Sequence, residues 1–317
     1  MTELNVCFVG VGSIAKRHIR NLKKICEKRN IYLVIDALRH GDYDTKETEQ
    51  FGICNVYRNC SEMKKVYDVV FITNPTALHL ETLEHLSSFG RHFFIEKPIC
   101  SLGQLKKAYA LDLKKKAVYY VACPLRYNAV IQYIKKNVKA EDVLCVRSIS
   151  SSYLPDWRPG TDYRNTYSAH TSMGGGVSID LIHEWDYITW LLGEPKEVNY
   201  MSGKISELEI DSEDFAVYTA DYGDKIVELH LDYFGRKTIR EVLVFTKEET
   251  ILGDIAGNKI MFLNSRKHMD FREERDDYQI RELEHFLDMI NGKAENDSSI
   301  AHAAKVLKLT QGGMKRI

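Results

Sequence analysis

The stretch NVCFVGVGSIAKRH, residues 5–18, decides the fold of this 317-residue chain. Its apolar first half predicts a buried strand, which ends in a turn at Gly10-Val11-Gly12. Apolar residues then recur at helical spacing as far as Cys26, so the turn leads directly into an amphipathic helix. A G-x-G-x-x-A spacing between a strand and a helix is typical of a dinucleotide-binding loop.

Each small residue of this loop has a physical role in phosphate binding. Gly10 permits the tight turn, Gly12 lets backbone N–H groups approach a pyrophosphate, and Ala15 allows the helix to pack closely on the strand. Ser13 and Ile14 complete the loop at a helix N-terminus, whose partial positive charge favours phosphate. Two alternatives stay open: a glycine turn required only for packing, and a methyltransferase loop that binds S-adenosylmethionine.

The rest of the first half alternates predicted strands and helices, which indicates a parallel sheet with helices on both faces. The predicted strands are 31–38, 67–75, 92–97 and 117–124, and the predicted helices are 13–29, 77–90 (closed by Gly90) and 102–116. In such sheets ligands bind where the strands end. Besides the glycine turn, this rule selects three groups: Arg39 and His40; Thr73, Asn74 and Pro75; Glu96, Lys97 and Pro98.

The residues after the second strand bear on the choice of dinucleotide. Asp36 stands at about the right distance to hold the ribose 2′-hydroxyl of NAD. If the strand continues through Leu38, however, Arg39 and His40 stand at its end and suit the 2′-phosphate of NADP. We therefore expect NAD or NADP as the cofactor, with NADP favoured.

Lys97 follows the apolar run of the strand FFIEK and is a candidate for proton transfer. A lysine at this edge can hydrogen-bond a substrate hydroxyl, and partial burial beside a nicotinamide cation lowers its pKa. Glu96 is expected to point to the opposite face, because adjacent strand residues alternate. The alternative is an ordinary surface Lys-Glu pair at the end of a core strand.

The second half has a different pattern, with three alternating segments at 214–222, 225–234 and 239–249 that predict a mostly antiparallel sheet. Before them, the glycines of 174–176 precede a predicted helix, 177–193. Asp180 and His183 are three residues apart and would share a helical face, so they are candidates for an acid–base pair. The alternative is a capping Asp and a satisfied core His. A zinc H-E-x-x-H site is ruled out by Tyr187.

Composition sets limits on partners and compartment. The formal net charge is −1, which provides no long-range field for nucleic acid or an anionic membrane. The seven cysteines are irregularly spaced, which favours a reducing compartment over a disulfide framework. No apolar run has the length of a membrane span. We expect a cytoplasmic protein without a metal, nucleic-acid or membrane partner.

Taken together, the motifs resemble those of the Gfo/Idh/MocA family, the relatives of glucose-fructose oxidoreductase and inositol dehydrogenase. The resemblance rests on G-x-G-x-x-A, Thr73-Asn74-Pro75 with His79, Glu96-Lys97-Pro98, the Gly174–Gly176 run, and Asp180, His183 and Asp186. It implies α/β architecture: a Rossmann domain, residues 1–122, and an α+β substrate-binding domain with an open sheet, residues 123–317, from which a C-terminal helix can pack back on the first domain. A homodimer or homotetramer is also implied.

The resemblance further implies NAD(P)-dependent hydride transfer at a sugar, sugar-nucleotide or cyclitol carbon. In this interpretation His79 belongs to the cofactor site, Lys97 polarises the reacting oxygen and relays the proton, and His183 accepts it with Asp180 beside it. One feature departs from the family pattern, because many members separate that Asp and His by four residues. The shorter step here leaves open whether Asp180 touches substrate or only supports the site.

The segment 151–164 and its neighbours are candidates for substrate recognition. Aromatic faces stack on sugar rings, and arginines bind phosphate or carboxylate in a fork. The candidates are Tyr153, Trp157, Arg158, Tyr163 and Arg164, with Arg126 and Tyr127. They suggest an anionic or nucleotide-linked sugar, unless the segment only packs an interface. Two rival functions remain: an NAD-dependent glycosidase without net redox change, and a non-enzymatic NAD(P)-binding protein.

Overall fold

The computed structural model describes residues 3–41 and 44–312. Within them the chain divides into two compact units. The first comprises the described residues up to Ala122 together with Gln279–Ala304. The second comprises Cys123–Tyr278 and the described residues from Lys305 onward. The outer limits of the two predicted domains, residues 1 and 317, lie outside the described residues.

The first unit is built on a six-stranded sheet with the order β3-β2-β1-β4-β5-β6, and all neighbouring strands pair in parallel. Its strands are β1 (Glu3–Val9), β2 (Tyr32–Leu38), β3 (Ile53–Tyr57), β4 (Tyr67–Ile72), β5 (Gly90–Ile95) and β6 (Tyr119–Val121). Its helices between strands are α1 (Ser13–Lys28), α2 (Thr45–Gln50), α3 (His79–His85) and α4 (Leu105–Tyr109). This strand order confirms the predicted Rossmann architecture.

Burial explains why these segments form strands. All six residues of β4 are buried, as expected for a central strand with both faces covered. Behind the sheet, stacked and edge-on aromatic rings join β1, β4 and β5 to Phe286, which belongs to a helix near the end of the chain. That helix therefore supplies part of the first unit's core.

Two predicted helices of the first unit are wrong in length. The helix that begins near residue 77 ends at His85, and Gly90 is the first residue of β5. A Cβ at Gly90 would lie 2.6 Å from the Phe93 ring, so this glycine serves strand packing and does not close a helix. The segment 102–116 forms only a 3₁₀ turn and α4, because Ala108 is the one buried residue of α4 and too little apolar surface follows it to support further turns.

The second unit contains an eight-stranded sheet with the order β14-β13-β12-β11-β7-β10-β9-β8. Its strands are β7 (Val143–Tyr153), β8 (Glu197–Gly203), β9 (Phe215–Asp221), β10 (Ile226–Asp232), β11 (Phe234–Thr246), β12 (Thr250–Asp254), β13 (Lys259–Phe262) and β14 (Lys267–Asp270). Only the β7–β10 pair is parallel among these strands, so the predicted, mostly antiparallel sheet is confirmed. Strands β9 and β10 form a hairpin with its turn at Gly223.

The remaining helices are α5 (Ala129–Asn137), α6 (Val177–Asp180), α7 (His183–Leu192), α8 (Asp277–Ile290) and α9 (Ile300–Leu309). Helices α8 and α9 come last along the described part of the chain. Most of α8 and the start of α9 belong to the first unit. In the part of the chain that the structure describes, no helix combines the length and apolar character that a membrane span requires.

Candidate functional site

The glycine turn between β1 and α1 has a geometry that only glycine permits. Gly10 has a φ of +78°, and a Cβ there would lie 3.1 Å from the Cα of Asn74. At Gly12 a Cβ would meet no described atom within 4 Å, so protein packing does not require a glycine at this position. No side chain caps α1 at this end. The turn therefore leaves room for a group that approaches the backbone closely and binds the first N–H groups of α1.

The turn borders a crevice of about 590 Å³ at the carboxyl edge of the parallel sheet. Its lining comprises Val9, Gly10, Val11, Gly12, Leu38, Arg39, His40, Asn59, Cys60, Asn74, Pro75, Leu78, Glu81, Thr82, His85 and Leu86. Six of these residues are predicted cofactor contacts. Asn59, Cys60 and the α3 side chains were not predicted, and only their position after neighbouring strands could have indicated them. A crevice of this size suits a small-molecule ligand.

Thr73 and His79 support the crevice from behind. The Thr73 hydroxyl lies 2.9 Å from the carbonyl of Val9 and 2.8 Å from that of Gly10. The His79 ring is buried between two backbone carbonyls, with Nε2 at 2.9 Å from that of Asn74 and Nδ1 at 3.0 Å from that of Pro98. Burial lowers the pKa of His79. Both residues fix loops that end strands, and neither lines the crevice.

Glu96 and Lys97 follow β5, which ends at Ile95. The Glu96 carboxylate lies 2.5 Å from Nε2 of the buried His18. Burial raises the pKa of Glu96, but the hydrogen bond and charge of His18 and the charge of Lys97 outweigh this effect and hold it below its ordinary value. Glu96 is thus engaged inside the unit, whereas Lys97 follows it, partly exposed, at the carboxyl edge of the sheet.

Asp36 is not part of the crevice. It is fully buried two residues before the end of β2, and its carboxylate accepts hydrogen bonds from Tyr67 (2.7 Å) and Asn55 (2.9 Å) and pairs with Lys65 (2.9 Å). Because β2 continues through Leu38, Arg39 and His40 follow the strand and line the crevice. The structure therefore places the predicted ribose contact of Asp36 in the interior.

We expect Asp36→Asn to lower the free energy of unfolding by about 1–3 kcal/mol, because charge-assisted hydrogen bonds are weakened. NAD(P)H affinity should stay unchanged. Burial raises the pKa of Asp36, but the bonds from Lys65, Tyr67 and Asn55 lower it overall. Its stabilising contribution is thus present above the ordinary carboxyl pKa and is lost as the pH falls through the lowered value. Denaturant titrations should show the Asn variant converging on the native protein at acid pH; a large loss of NAD(P)H affinity would contradict the structural role.

In the second unit, the predicted helix 177–193 is wrong as a single helix. It breaks into α6, which ends at Asp180, and α7, which begins at His183. The two side chains therefore do not share one helical face. Asp180 is buried and accepts a hydrogen bond of 2.7 Å from the hydroxyl of Tyr233, whereas His183 contacts Arg240. Asp180 thus contacts the residue between β10 and β11, and His183 contacts a residue of β11.

The glycine run before α6 is required by the backbone. Gly174 and Gly176 have positive φ values of +81° and +132°, and a Cβ at Gly175 would lie 2.1 Å from the carbonyl oxygen of Tyr167. The Glu213 carboxylate accepts a hydrogen bond of 3.1 Å from the backbone N–H of Ser178 at the start of α6. The run therefore sets the path of the chain into α6 and so the position of Asp180.

Two of the arginines predicted to bind substrate are already paired with carboxylates. Arg126 is fully buried in a two-bond pair with Asp186, with both distances 2.7 Å. Arg164 pairs with Asp162 at 2.8 Å and Glu209 at 3.2 Å. These pairings leave little basis for phosphate recognition by either arginine, because an anionic ligand would have to displace a carboxylate.

The aromatic candidates are placed differently from one another. Trp157 donates to Ser152 (2.9 Å) and packs edge-on against Tyr233, the partner of Asp180. Arg158 lies 5.1 Å over the Tyr167 ring. The structure also places three candidates elsewhere: Tyr127 is buried, Tyr153 stacks under Arg236, and the Tyr163 hydroxyl accepts from the backbone of Glu209. Trp157 is therefore the aromatic candidate that the structure brings near Asp180.

Comparisons with known proteins agree with this architecture. Residues 4–123 match the family model described as an oxidoreductase family with an NAD-binding Rossmann fold, and residues 131–249 match the GFO/IDH/MocA C-terminal domain. The chain belongs to the GFO/IDH/MocA family. Membership confirms the predicted resemblance. The three-residue step between Asp180 and His183 is thus a feature of this member of the family.

Two curated GFO/IDH/MocA relatives are similar over part of the chain. An uncharacterised oxidoreductase of Bacillus subtilis, YrbE, is 25% identical over 198 residues, which cover 62% of this chain and 55% of the relative. The levoglucosan dehydrogenase of Pseudarthrobacter phenanthrenivorans is 24% identical over 217 residues, which cover 63% and 54%. The chain thus spans about half the length of the curated relatives it matches.

Solved structures show the same fold over nearly the whole chain. An oxidoreductase from Thermotoga maritima is 20% identical with a TM-score of 0.82, covering 98% of this chain and 95% of that one. Levoglucosan dehydrogenase in complex with NADH and levoglucosan is 17% identical with a TM-score of 0.82 and the same coverage. At these identities the likeness establishes the fold of this GFO/IDH/MocA chain.

Proposed function

We propose that this protein is an NAD(P)-dependent oxidoreductase that transfers hydride between a nicotinamide and a carbinol or carbonyl carbon of a sugar, sugar nucleotide or cyclitol. One observation carries the proposal. Lys97 follows β5 at the edge of the sheet where β1 ends in the Gly10–Gly12 turn, and β4 alone separates these strands. A proton-exchanging side chain thus belongs to the same edge as a crevice suited to a dinucleotide.

The residues of the crevice fit the cofactor. The open space at Gly12 admits a pyrophosphate to the N-terminus of α1, and Arg39 and His40 line the part of the crevice after β2. When bound, the nicotinamide supplies or accepts the hydride. The side chains of Thr73 and His79 contact backbone carbonyls at the ends of β1, β4 and β5 and so hold the loops that follow these strands. We propose that the first unit is the cofactor domain.

The second unit is, in this proposal, the substrate domain. Lys97 Nζ hydrogen-bonds the reacting oxygen and exchanges its proton, and His183 receives or returns the proton at a ring nitrogen. Asp180, fixed by Tyr233, orients this region. The convergence of Lys97 and His183 on one oxygen is the part of the proposal that stays a prediction, as does the homodimer or homotetramer.

For the substrate we favour a sugar recognised through stacking and hydrogen bonds. The relative named levoglucosan dehydrogenase acts on a sugar derivative, and Trp157 offers an aromatic face close to Tyr233 and Asp180. The pairing of Arg126 and Arg164 with carboxylates weakens the case for an anionic sugar. In the segment 151–164, Arg158 is the arginine whose guanidinium lies over an aromatic ring, that of Tyr167.

We infer that NADP is preferred over NAD. Arg39 and His40 line the crevice after β2. Nη1 of Arg39 lies 3.7 Å from Oε2 of Glu47, a longer carboxylate contact than those of Arg126 and Arg164. Arg39→Ala should raise the KM for NADP by about tenfold, the effect of losing one charge-assisted bond to a phosphate, and change the KM for NAD by less than about twofold. Steady-state kinetics with both cofactors measure this. Arg20→Ala, on the exposed side of α1, is the control; equal effects on NAD and NADP would refute the assignment.

The experiment that tests the function is a panel of free and nucleotide-linked sugars and cyclitols, each assayed with NAD and NADP by the absorbance of the reduced nicotinamide. We expect net reduced cofactor with at least one sugar. Cleavage of a glycosidic bond with no net reduced nicotinamide, or tight NAD(P) binding with no turnover across the panel, would refute the proposal in favour of a glycosidase or a binding protein.

A further inference from the structure

The ring nitrogen Nε2 of His183 is held by an arginine that the sequence did not indicate. Nη2 of Arg240, on β11, lies 2.7 Å from this nitrogen. A guanidinium carries only donors, so Nε2 must accept through its lone pair. The proton of the neutral imidazole therefore resides on Nδ1, because the bond made by one ring nitrogen sets the state of the other.

Arg240 is itself fixed by buried groups. Its Nε lies 2.9 Å from Oε1 of Glu184 and donates to the hydroxyl of Ser150 at 3.3 Å. Glu184 is fully buried, so its burial raises the pKa of the carboxyl while the charge of Arg240 opposes that rise. The guanidinium thus pairs with a carboxylate through Nε and contacts the imidazole of His183 through Nη2. The single ammonium of a lysine cannot place two donors in this fixed arrangement.

We propose that Arg240, anchored by Glu184, is a positioning residue that fixes His183 as the neutral imidazole with its proton on Nδ1. Charged groups near Nε2 include Arg240 at 2.7 Å and Glu184 at 3.5 Å. Protonation of Nε2 and its bond from Arg240 exclude each other, since both use the same lone pair. His183 can then accept a proton at Nε2 only after Arg240 gives up this bond. A group that displaces the guanidinium therefore makes the base available.

The structural part of this inference is tested without activity, by the ¹⁵N NMR spectrum of the substrate-free protein labelled in its 11 histidines. His183→Gln identifies the signals of residue 183. We expect the native protein to show the shift pattern of the Nδ1–H tautomer. Arg240→Met removes the donor at similar length and should move His183 toward the Nε2–H form. Arg147→Met is the control: it removes an exposed arginine of the adjacent strand β7, which pairs with Glu228. It should leave the tautomer of His183 unchanged.

Because Arg240→Met leaves Glu184 buried without its cation, the double variant Glu184→Gln/Arg240→Met supplies a neutral site in case the single variant fails to fold. It should show the same change of tautomer. An Nε2–H pattern in the native protein, or retention of Nδ1–H in the variant that folds, would overturn the inference.

The kinetic consequence rests on the proposed function and is measured separately. In the double variant kcat should fall at least about tenfold, since an imidazole in the wrong tautomer cannot serve its role, while the KM for sugar changes by less than about threefold. If the native protein shows no redox activity but the tautomer behaves as expected, the proposed function fails and the assignment of Arg240 stands. An unchanged kcat beside a changed tautomer would overturn the positioning role.

Discussion

We expect the Lys97→Ala variant to lose at least about 100-fold in kcat while it binds NADPH within about twofold of the native protein. General acid–base groups contribute about 10²–10⁴-fold to turnover, and we propose Lys97 as the proton-exchanging residue at the carboxyl edge where the glycine turn lies. Cofactor binding should survive because the Gly10–Gly12 turn and the Arg39-His40 end of the crevice do not depend on the lysine side chain. Steady-state kinetics and fluorescence titration with NADPH measure the two effects.

Two further variants separate the role of Lys97 from charge and from general damage. Lys97→Arg keeps the positive charge but does not exchange its proton near neutral pH, so it should be nearly as slow as Lys97→Ala. Lys116→Ala changes an exposed lysine of the same unit and should have native kinetics. Recovery of most activity in Lys97→Arg would show that the charge alone is needed, and near-native turnover of Lys97→Ala would refute the catalytic role altogether.

The parts of the fold that follow from local pattern could be predicted. Continuous apolar runs such as YDVVFI identify central parallel strands, because such a segment is stable only when both faces are covered. Alternating segments around Gly223 identify the β9–β10 hairpin. The lengths of the helices were less predictable. The apolar spacing of 102–116 continues beyond Tyr109, but burial, which is a tertiary property, stops there.

Site residues were predictable where a backbone requirement is visible in the sequence, and not where a distant partner decides. Gly10 requires a positive φ, and Gly12 leaves space for a ligand to approach the backbone. Both requirements are visible in the sequence because each position is a glycine. The partner of Arg126 is Asp186, 60 positions away, and pairing with it changes a candidate phosphate ligand into a structural residue. Local spacing carries no information on such a contact.

The same reasoning explains why the sequence placed Asp36 in the cofactor site and did not indicate Arg240. Asp36 stands at the right sequence distance for a ribose, but its partners Lys65, Tyr67 and Asn55 come from later segments that turn it inward. Arg240 lies 57 positions from His183 in an unremarkable strand pattern. Its relevance is apparent only when β11 is placed beside the start of α7.

The second large effect is expected at His183, where replacement by alanine should lower kcat at least about 100-fold and leave the affinity for NADPH unchanged. His183→Asn should be equally slow, because an amide can occupy the place of the ring but cannot accept a proton. His268→Ala, in the exposed strand β14 of the same unit, is the control and should have native kinetics. Asp180 is hydrogen-bonded to Tyr233 and does not share a helical face with His183. We therefore expect Asp180→Asn to lower kcat by less than His183→Ala does. If His183→Asn retained near-native kcat, proton exchange would have to be assigned to Lys97 alone, with His183 limited to holding the substrate.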